Sequence, residues 1–557
     1  MKKLAKILTL ALAIIVLGST LTVKADLGYL YSHDNQPIYS TVGLSTTLDN
    51  IYTVISDGWT LEASNFTSPE DLYLYKDPDT NEETIYVVDS VSNHLFIFDS
   101  DLNQVGEITQ FPIYADDFDA ASAALINTND GSGKTTKFLT KNPEFTDKTS
   151  TDTFYVELCG VTGVYRAVRP IYGEDGFRIK GEYEDVLYLC DTSNQQIVIV
   201  DSNDFHVKQV ISQPTSVSFS GKTFKPTRVV TDTAGMMYVI SQGVYEGIMQ
   251  MTHDGEFSCY VGTNYTTLTF WEILWRNFQS QEQLEESASQ IVSTSFLSLA
   301  MDSEGFIYAT SGSNTTTSNK YMIKRINPSG DDVLTRNGYS FPVGDIVYVK
   351  TSTDSRVTVG ASKFTAIAVN EYGMYTVADT NTGRLFTYDD QGYLLYISGG
   401  SGSELSDLTN PVAITYQGDN LLVLDKGNRS IVRFKPTEVA EVINYASKLY
   451  YQGDLTGSAD AWKQVVALNP NYEYAYIGIG KSLFYDGRYA EAMTNFEQGY
   501  EQSYYSKAYK YLRDEKVKTY FIPVAIILLA LILWKVITNF IKKRKGPKQE
   551  ESGMGDE

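Results

Sequence analysis

Four oxygen-bearing residues stand at matching places in this chain. Asp71, Asp232, Asp302 and Asn370 each lie on, or at the end of, a short apolar segment of strand character. Carboxylate and amide oxygens converging from several strands form the ligand set of a hard cation such as Ca²⁺, so Asp232 and Asp302 are the candidate metal residues. The same residue types also cap turns by accepting backbone N–H bonds, and Asp232-Thr233-Ala234-Gly235 and Asp302-Ser303-Glu304-Gly305 read as tight turns. Other chemistry is poorly supplied. His33, His94, His206 and His253 fall outside those segments, which argues against an imidazole-built metal site. Three cysteines, Cys159, Cys190 and Cys259, are too few for a disulfide framework, though one bridge stays open. No Ser-His-Asp or Cys-His arrangement is visible, and Gly131-Ser132-Gly133-Lys134-Thr135 lacks the spacing and leading strand of a phosphate loop.

The elements that must position these residues are strands, in a phrase repeated six times between Leu72 and Arg433. An apolar pair is followed by Asp-x-x-Asn or a relic of it, then by a second apolar strand and an acidic or Gly turn. The clearest copies are Ile85-Tyr86-Val87-Val88-Asp89 running into Asn93-His94-Leu95-Phe96-Ile97-Phe98-Asp99, and Leu187-Tyr188-Leu189-Cys190-Asp191 running into Asn194 and Ile197-Val198-Ile199-Val200-Asp201. Such a period in all-β sequence implies radially stacked sheets. The inner strands are expected at 71–75, 163–168, 228–232, 297–302, 365–370 and 412–416. The sixth sheet lacks a fourth strand, and either 36–43 or 50–56 is expected to return from the N-terminal side and cover that edge.

Asp379-Thr380-Asn381-Thr382-Gly383-Arg384-Leu385 and Asp425-Lys426-Gly427-Asn428-Arg429-Ser430-Ile431, with Asn93-His94-Leu95, resemble the NHL-repeat signature. The resemblance covers residues 36–436 and implies a six-bladed β-propeller, with Ser241 and Ser311 standing where the signature has Asp. It also implies an alternative function, because propellers of related sequence include lactonases and lyases that hold a divalent cation in the central channel. Read from the residues themselves, the repeated Asp and Asn are turn chemistry. Two insertions break the repeat. Residues 111–160 are rich in Asp, Ser, Thr and Asn, whereas 267–288 have helical spacing, with Phe270, Ile273, Leu274 and Phe278 beside Trp271 and Trp275. Insertions emerge on a propeller face, so Trp271 and Trp275 are candidate partner-binding residues, or else pack flat on their own propeller.

Beyond the repeat the period changes from two to about three and a half. Residues 440–517 are self-similar at 34 residues, matching Gly453 with Gly487, Trp462 with Phe496, Leu449 with Leu483 and Ala446 with Gly480. This resembles the tetratricopeptide repeat, which implies a groove lined by Tyr472, Tyr474, Tyr476 and Tyr485, with Tyr472, Tyr476 and Tyr485 as further partner-binding candidates. A helical spacer is the alternative.

The ends place these parts. Lys2, Lys3 and Lys6 precede an apolar run at 7–17, and Val23-Lys24-Ala25 offers a small-x-small cleavage pattern, so 1–25 reads as a signal peptide. Residues 520–541 are long enough to span ~33 Å as a helix, with Pro523 expected in the first turn and Trp534 near an interface. Lys542-Lys543-Arg544-Lys545 follow and mark the cytoplasmic side. A formal charge of −23 repels nucleic acid, which is excluded as a partner.

The expected fold class is mainly β: a six-bladed β-propeller (26–436), a small α-helical solenoid (440–517), one transmembrane helix (520–541) and a cytoplasmic tail (542–557). The expected function is that of a bacterial single-pass cell-membrane protein, most of it extracytoplasmic, that binds a ligand or protein partner. Service to a transporter or envelope complex fits this architecture, without catalysis and without a cofactor. A Ca²⁺-dependent propeller enzyme and a passive surface spacer are the alternatives.

Overall fold

A computed structural model describes residues 27–113, 154–262, 295–312, 321–336 and 342–546, apart from internal stretches of at most three residues, together with the strand Lys137–Thr140. The signal segment 1–25, much of 111–160, and all of 267–288 with Trp271 and Trp275 lie outside the described residues. The chain divides into two units, Met1–Gly453 and Asp454–Glu557.

The first unit is a six-bladed β-propeller. Its inner strands are Pro69–Lys76, Val161–Tyr172, Pro226–Thr231, Phe296–Met301, Phe364–Val369 and Pro411–Gln417. Each touches the next, and the last touches the first, so the ring is closed. Each inner strand leads outward through an antiparallel meander. The second strands, such as Glu83–Asp89 and Met237–Ser241, are buried on both faces because neighbouring blades cover both sides. This is why they read as continuous apolar runs, whereas the outer strand Gln104–Ile108 alternates. Between blades, Tyr86, Phe111 and Val200 share one cluster, and Tyr188, Phe219 and Met249 another. Burying each such side chain contributes about 1.5–3 kcal/mol. The outer strand expected near 332–335 in blade four is reduced to one bridge, between Ile326 and Asp332. There the Asp332 carboxylate accepts the N–H groups of Arg325 and Leu334, supplying locally a bond that a ladder would otherwise make.

The N-terminal side does return to blade six. Leu44–Ser45 pairs with Pro436 and Lys435, and Ile51–Tyr52 pairs with Val432 and Ile431, on the outer strand Ser430–Pro436. The approach is tight at Gly43, where an added Cβ would lie 2.0 Å from the ring of Tyr396. A hairpin not foreseen from the sequence, Leu27–Tyr31 with Pro37–Thr41, precedes it. Tyr29 donates to both oxygens of buried Asp345 at 2.6 and 2.7 Å, Tyr31 also donates to Asp345, and Arg384 donates at 2.8 Å.

Helix α1 (Glu438–Tyr451) belongs to the propeller unit, so the division falls at 453 rather than near 440. Thr437 caps it, accepting from Ala440 N while donating to Val42 O at 2.9 Å. Asn444 accepts from Tyr396, and the Lys448 ammonium lies 4.3 Å from the Tyr372 ring centroid.

The second unit holds α2 (Leu455–Leu468), α3 (Glu473–Tyr485), α4 (Tyr489–Gln498) and α5 (Gln502–Arg544). Gly478 lies against the Trp462 indole, and Gly480 against the Phe496 ring, where a Cβ would come within 2.7 Å. Small residues on α3 thereby admit the bulky residues of α2 and α4. The end of the helical solenoid expected at 440–517 and the transmembrane helix expected at 520–541 are one 43-residue helix, with Pro523 inside it rather than in a first turn. α5 is long and apolar enough to cross a membrane.

Candidate functional site

Every inner strand carries a register shift at the same place: Pro69/Asp71, Val161/Gly163, Pro226/Arg228, Phe296/Ser298, Phe364/Ala366 and Pro411/Ala413. A bulge leaves its extra residue outside the ladder, here Glu70, Thr162, Thr227, Leu297, Thr365 and Val412. Arg228 collects four of the freed carbonyls. Its Nη1 donates to Thr162 O and, at 2.9 Å, to Thr227 O; its Nη2 donates to Glu70 O at 2.8 Å and Val412 O at 3.5 Å. Its Nε lies 3.5 Å from Asp71 Oδ1, and Asp71 Oδ2 accepts Val164 N at 3.1 Å. One guanidinium therefore bridges blades one, two, three and six at one mouth of the channel. Behind it lies a cavity of about 130 Å³ lined by all six inner strands, with Tyr73, Tyr165, Ser298 and Thr415 among its polar side chains.

Asp71 stands near the start of its strand, whereas Asp232, Asp302 and Asn370 directly follow the ends of theirs. The four therefore do not share a mouth. Asp232 Oδ1 accepts from Ala234 N and Met236 N, Asp302 Oδ1 from Glu304 N and Phe306 N, and Asn370 Oδ1 from Tyr372 N and Met374 N, all at 2.9–3.0 Å. Each caps its own turn in the same way, and Asp302 is further paired with Arg325 at 3.1 Å. Among the described residues, the group of three acidic or imidazole side chains close enough for one ion is Asp201, Asp204 and His206. In the sequence its signal is the spacing Asp-x-x-Asp-x-His. Asp204 and His206 bond each other at 2.5 Å, and the Lys208 ammonium lies 3.4 Å from Asp201, so all three already have partners.

The repeated Asp residues are buried clamps. Asp89 accepts Val91 N and Ser92 N in its own turn, and also Thr67 N and Ser68 N in the segment that enters the inner strand. Asp425 joins Gly427 N and Asn428 N to Thr409 N and Asn410 N in the same manner. Ser241 keeps half of this, accepting Lys225 N at 2.8 Å. Surroundings separate the clamps electrostatically. At Asp89 burial raises the carboxyl pKa, but the N–H groups of Ser92, Ser68, Val91 and Thr67 outweigh it and hold the group below its ordinary value. Asp191 takes one N–H bond from Cys159 and two from the amides of Asn194 and Gln196; burial dominates and pushes it up to about 6.

The aromatic candidates in the helical unit differ in their surroundings. Tyr472 is 2% exposed and stacks near Trp462, with ring centroids 6.5 Å apart, so it is core. Tyr476 is half-buried and donates to Pro470 O at 3.2 Å. Tyr485 is exposed, its ring edge-on to Phe484.

No family model matches the chain, and no curated protein matches it. Among solved structures, it is similar to Kuenenia stuttgartiensis hydrazine synthase at 9% identity and TM-score 0.33, covering 68% of this chain and 98% of that one. It is also similar to a protein of unknown function from Bacteroides thetaiotaomicron at 10% and 0.36, covering 72% and 80%. A streptogramin B lyase is similar at 10% and 0.31, covering 74% and 93%. With every TM-score below 0.5, none of these bears on what the chain does.

Proposed function

We propose that this chain is a membrane-anchored extracytoplasmic binding and scaffold protein. The propeller recognises a ligand or partner, and the helical unit docks a protein close to the bilayer. The observation that carries this reading is α5. Tyr504 and Ala508 near its start are buried in the helical unit, whereas its apolar window, of mean hydropathy 2.5, is 0% buried. A helix built into a folded unit at one end, and at the other uncovered and apolar but for Lys535 over most of its length, is one that a bilayer covers. Lys542, Lys543 and Arg544 in its last turn support a cytoplasmic position for that end, and with it an outward position for both folded units.

The finer assignments follow the same reading. The Asp clamps with their neighbouring Asn residues suit NHL-type repeats. Gly453 and Gly487, 34 residues apart at φ +84° and +80°, suit turns of a tetratricopeptide pair. Binding is favoured over a metal-dependent lactonase or lyase because Arg228 occupies one channel mouth, and Asp232 and Asp302 are committed to their turns.

The test is affinity purification of the full chain from solubilised membranes, with cross-linkers placed in residues 440–517 and divalent-cation titration in parallel. A reproducible cross-linked partner is expected. Absence of any partner, with cation binding and turnover of a lactone lost in Asp232→Ala/Asp302→Ala, would transfer the assignment to the enzyme.

A further inference from the structure

The surface of α5 just before its apolar stretch carries a pattern that anchoring alone does not require. Tyr509, Leu512, Arg513, Lys516, Val517 and Tyr520 line one shallow groove, and their spacing of i, i+3, i+4, i+7, i+8 and i+11 is one face of a helix. The opposite face is the one packed within the unit: Tyr504 and Ala508 are buried there, and Tyr511 stacks on Tyr489 with centroids 5.3 Å apart. The first face is turned away from these contacts, with Tyr509 53%, Val517 55% and Tyr520 67% exposed. Charge is locally inverted as well. Lys507, Lys510, Arg513, Lys516 and Lys518 face only Asp514 and Glu515 in this segment, in a chain of formal charge −23.

We infer that this face binds the anionic headgroups of the outer leaflet, with Arg513 and Lys516 holding phosphate oxygens and Tyr509 and Tyr520 lying along the interface. The inference rests on the reading of α5 as a membrane span. Tyr520 opens the apolar stretch, so Lys516 stands ~6 Å and Arg513 ~10 Å before it at about 1.5 Å per residue. The headgroup layer is roughly 5–8 Å deep on each side, and the surface field persists for about another 8 Å at physiological salt. Both cations lie within that range. Tyrosines favour this level because their rings are apolar and their hydroxyls are wet. A guanidinium fork and an ammonium are the two side chains suited to phosphate. Arg513 is bonded to Asp514 at 2.9 Å, but both are about half exposed, and such a pair is too weak to withhold the guanidinium from a lipid.

The full chain would be placed in nanodiscs of phosphatidylcholine and phosphatidylglycerol, and the lipids that it retains on release counted by native mass spectrometry. Retention of phosphatidylglycerol above its share of the disc is expected. R513Q/K516Q should lower that enrichment roughly fivefold for each charge removed, the fold-change equivalent to ~1 kcal/mol. K542Q/K543Q/R544Q, at the other end of α5, should leave this part intact. Unchanged enrichment in R513Q/K516Q overturns the inference. So does loss of a co-purifying protein or of a self-associated form with lipid unchanged, because the face would then be a protein contact. Alkaline carbonate extraction separates the two readings: a chain that washes off the membrane fails as an anchored protein, whereas one that stays but shows no lipid preference fails only here.

Discussion

Arg228 Nε lies 3.5 Å from Asp71 Oδ1, and the remainder of that guanidinium bonds carbonyls that backbone bulges in four blades have freed. Burial pushes the Asp71 carboxyl up, and Arg228 opposes the shift. Arg228→Met would remove the cation beside a buried carboxylate and a donor from each of four carbonyls. Denaturant unfolding of the full chain should show a loss of about 3–5 kcal/mol. The double variant D71L/R228M should recover part of it, since two well-packed apolar residues leave no stranded charge. A loss below about 1 kcal/mol in the single variant would refute the role of Arg228 as the ring's tie.

Asp191 and Asp89 occupy equivalent places and should respond to pH with opposite signs. The folded state holds the Asp191 proton up to about pH 6, while an unfolded carboxyl loses it near its ordinary value of 3.8. Between those values the folded state binds more protons, so the contribution of Asp191 to stability falls as pH rises through the window, by on the order of 3 kcal/mol. Asp89 is held low, so its contribution is present above the ordinary value and lost as pH falls below it. Unfolding midpoints between pH 4 and 7 should therefore slope less steeply downward in D191N than in the wild type. Buried Asn194 Oδ1 and Gln196 Oε1 have no donor within the described structure, so the new amide has acceptors to meet. Parallel slopes would contradict the assignment.

Ring closure should be sensitive at Gly43. Gly43→Val forces side-chain carbon into the Tyr396 ring, for an expected loss of about 1–3 kcal/mol. Y29F/Y31F removes the hydroxyls from Asp345 and should cost about 1.5–3 kcal/mol for each charged hydrogen bond. Hydrogen exchange should locate the loosening in residues 27–45. Removing 27–60 altogether should lower the melting temperature further, and an unchanged transition would count against closure by this segment.

In the helical unit, Trp462 is 2% exposed and lies against Gly478. Trp462→Ala should destabilise that unit by about 3–5 kcal/mol, and Gly480→Leu should do so by collision with Phe496. Circular dichroism at 222 nm during heating would report the loss, while the β-rich transition should keep its midpoint. Tyr485→Ala, at an exposed position, should leave both transitions in place.

The inner strands lie within two residues of their expected bounds, except that Val161–Tyr172 runs four residues past 168. The reason is local: a strand covered on both faces needs an uninterrupted apolar run, and its caps lie within four residues. Tyr472 shows the limit of such reading. Its type and neighbours suggested a binding groove, yet it is core, because burial depends on which helix surface Trp462 meets. Pro523 misled in the other direction, since proline marks helix starts in most settings but lies inside α5.

By itself the sequence determined the number of blades, the place of the repeated Asp clamps and the apolar length of α5, all set by periodicity and composition within a few residues. Tertiary structure alone decided that Asp232 and Asp302 stand at the opposite mouth from Asp71, and that Arg228 plugs the mouth between them and solvent on Asp71's side. The latter rests on carbonyls 158 and 184 residues away in the chain, exposed by register shifts that leave no trace in composition. A bulge is a property of how two strands meet, and only closing the ring brings six of them to one axis.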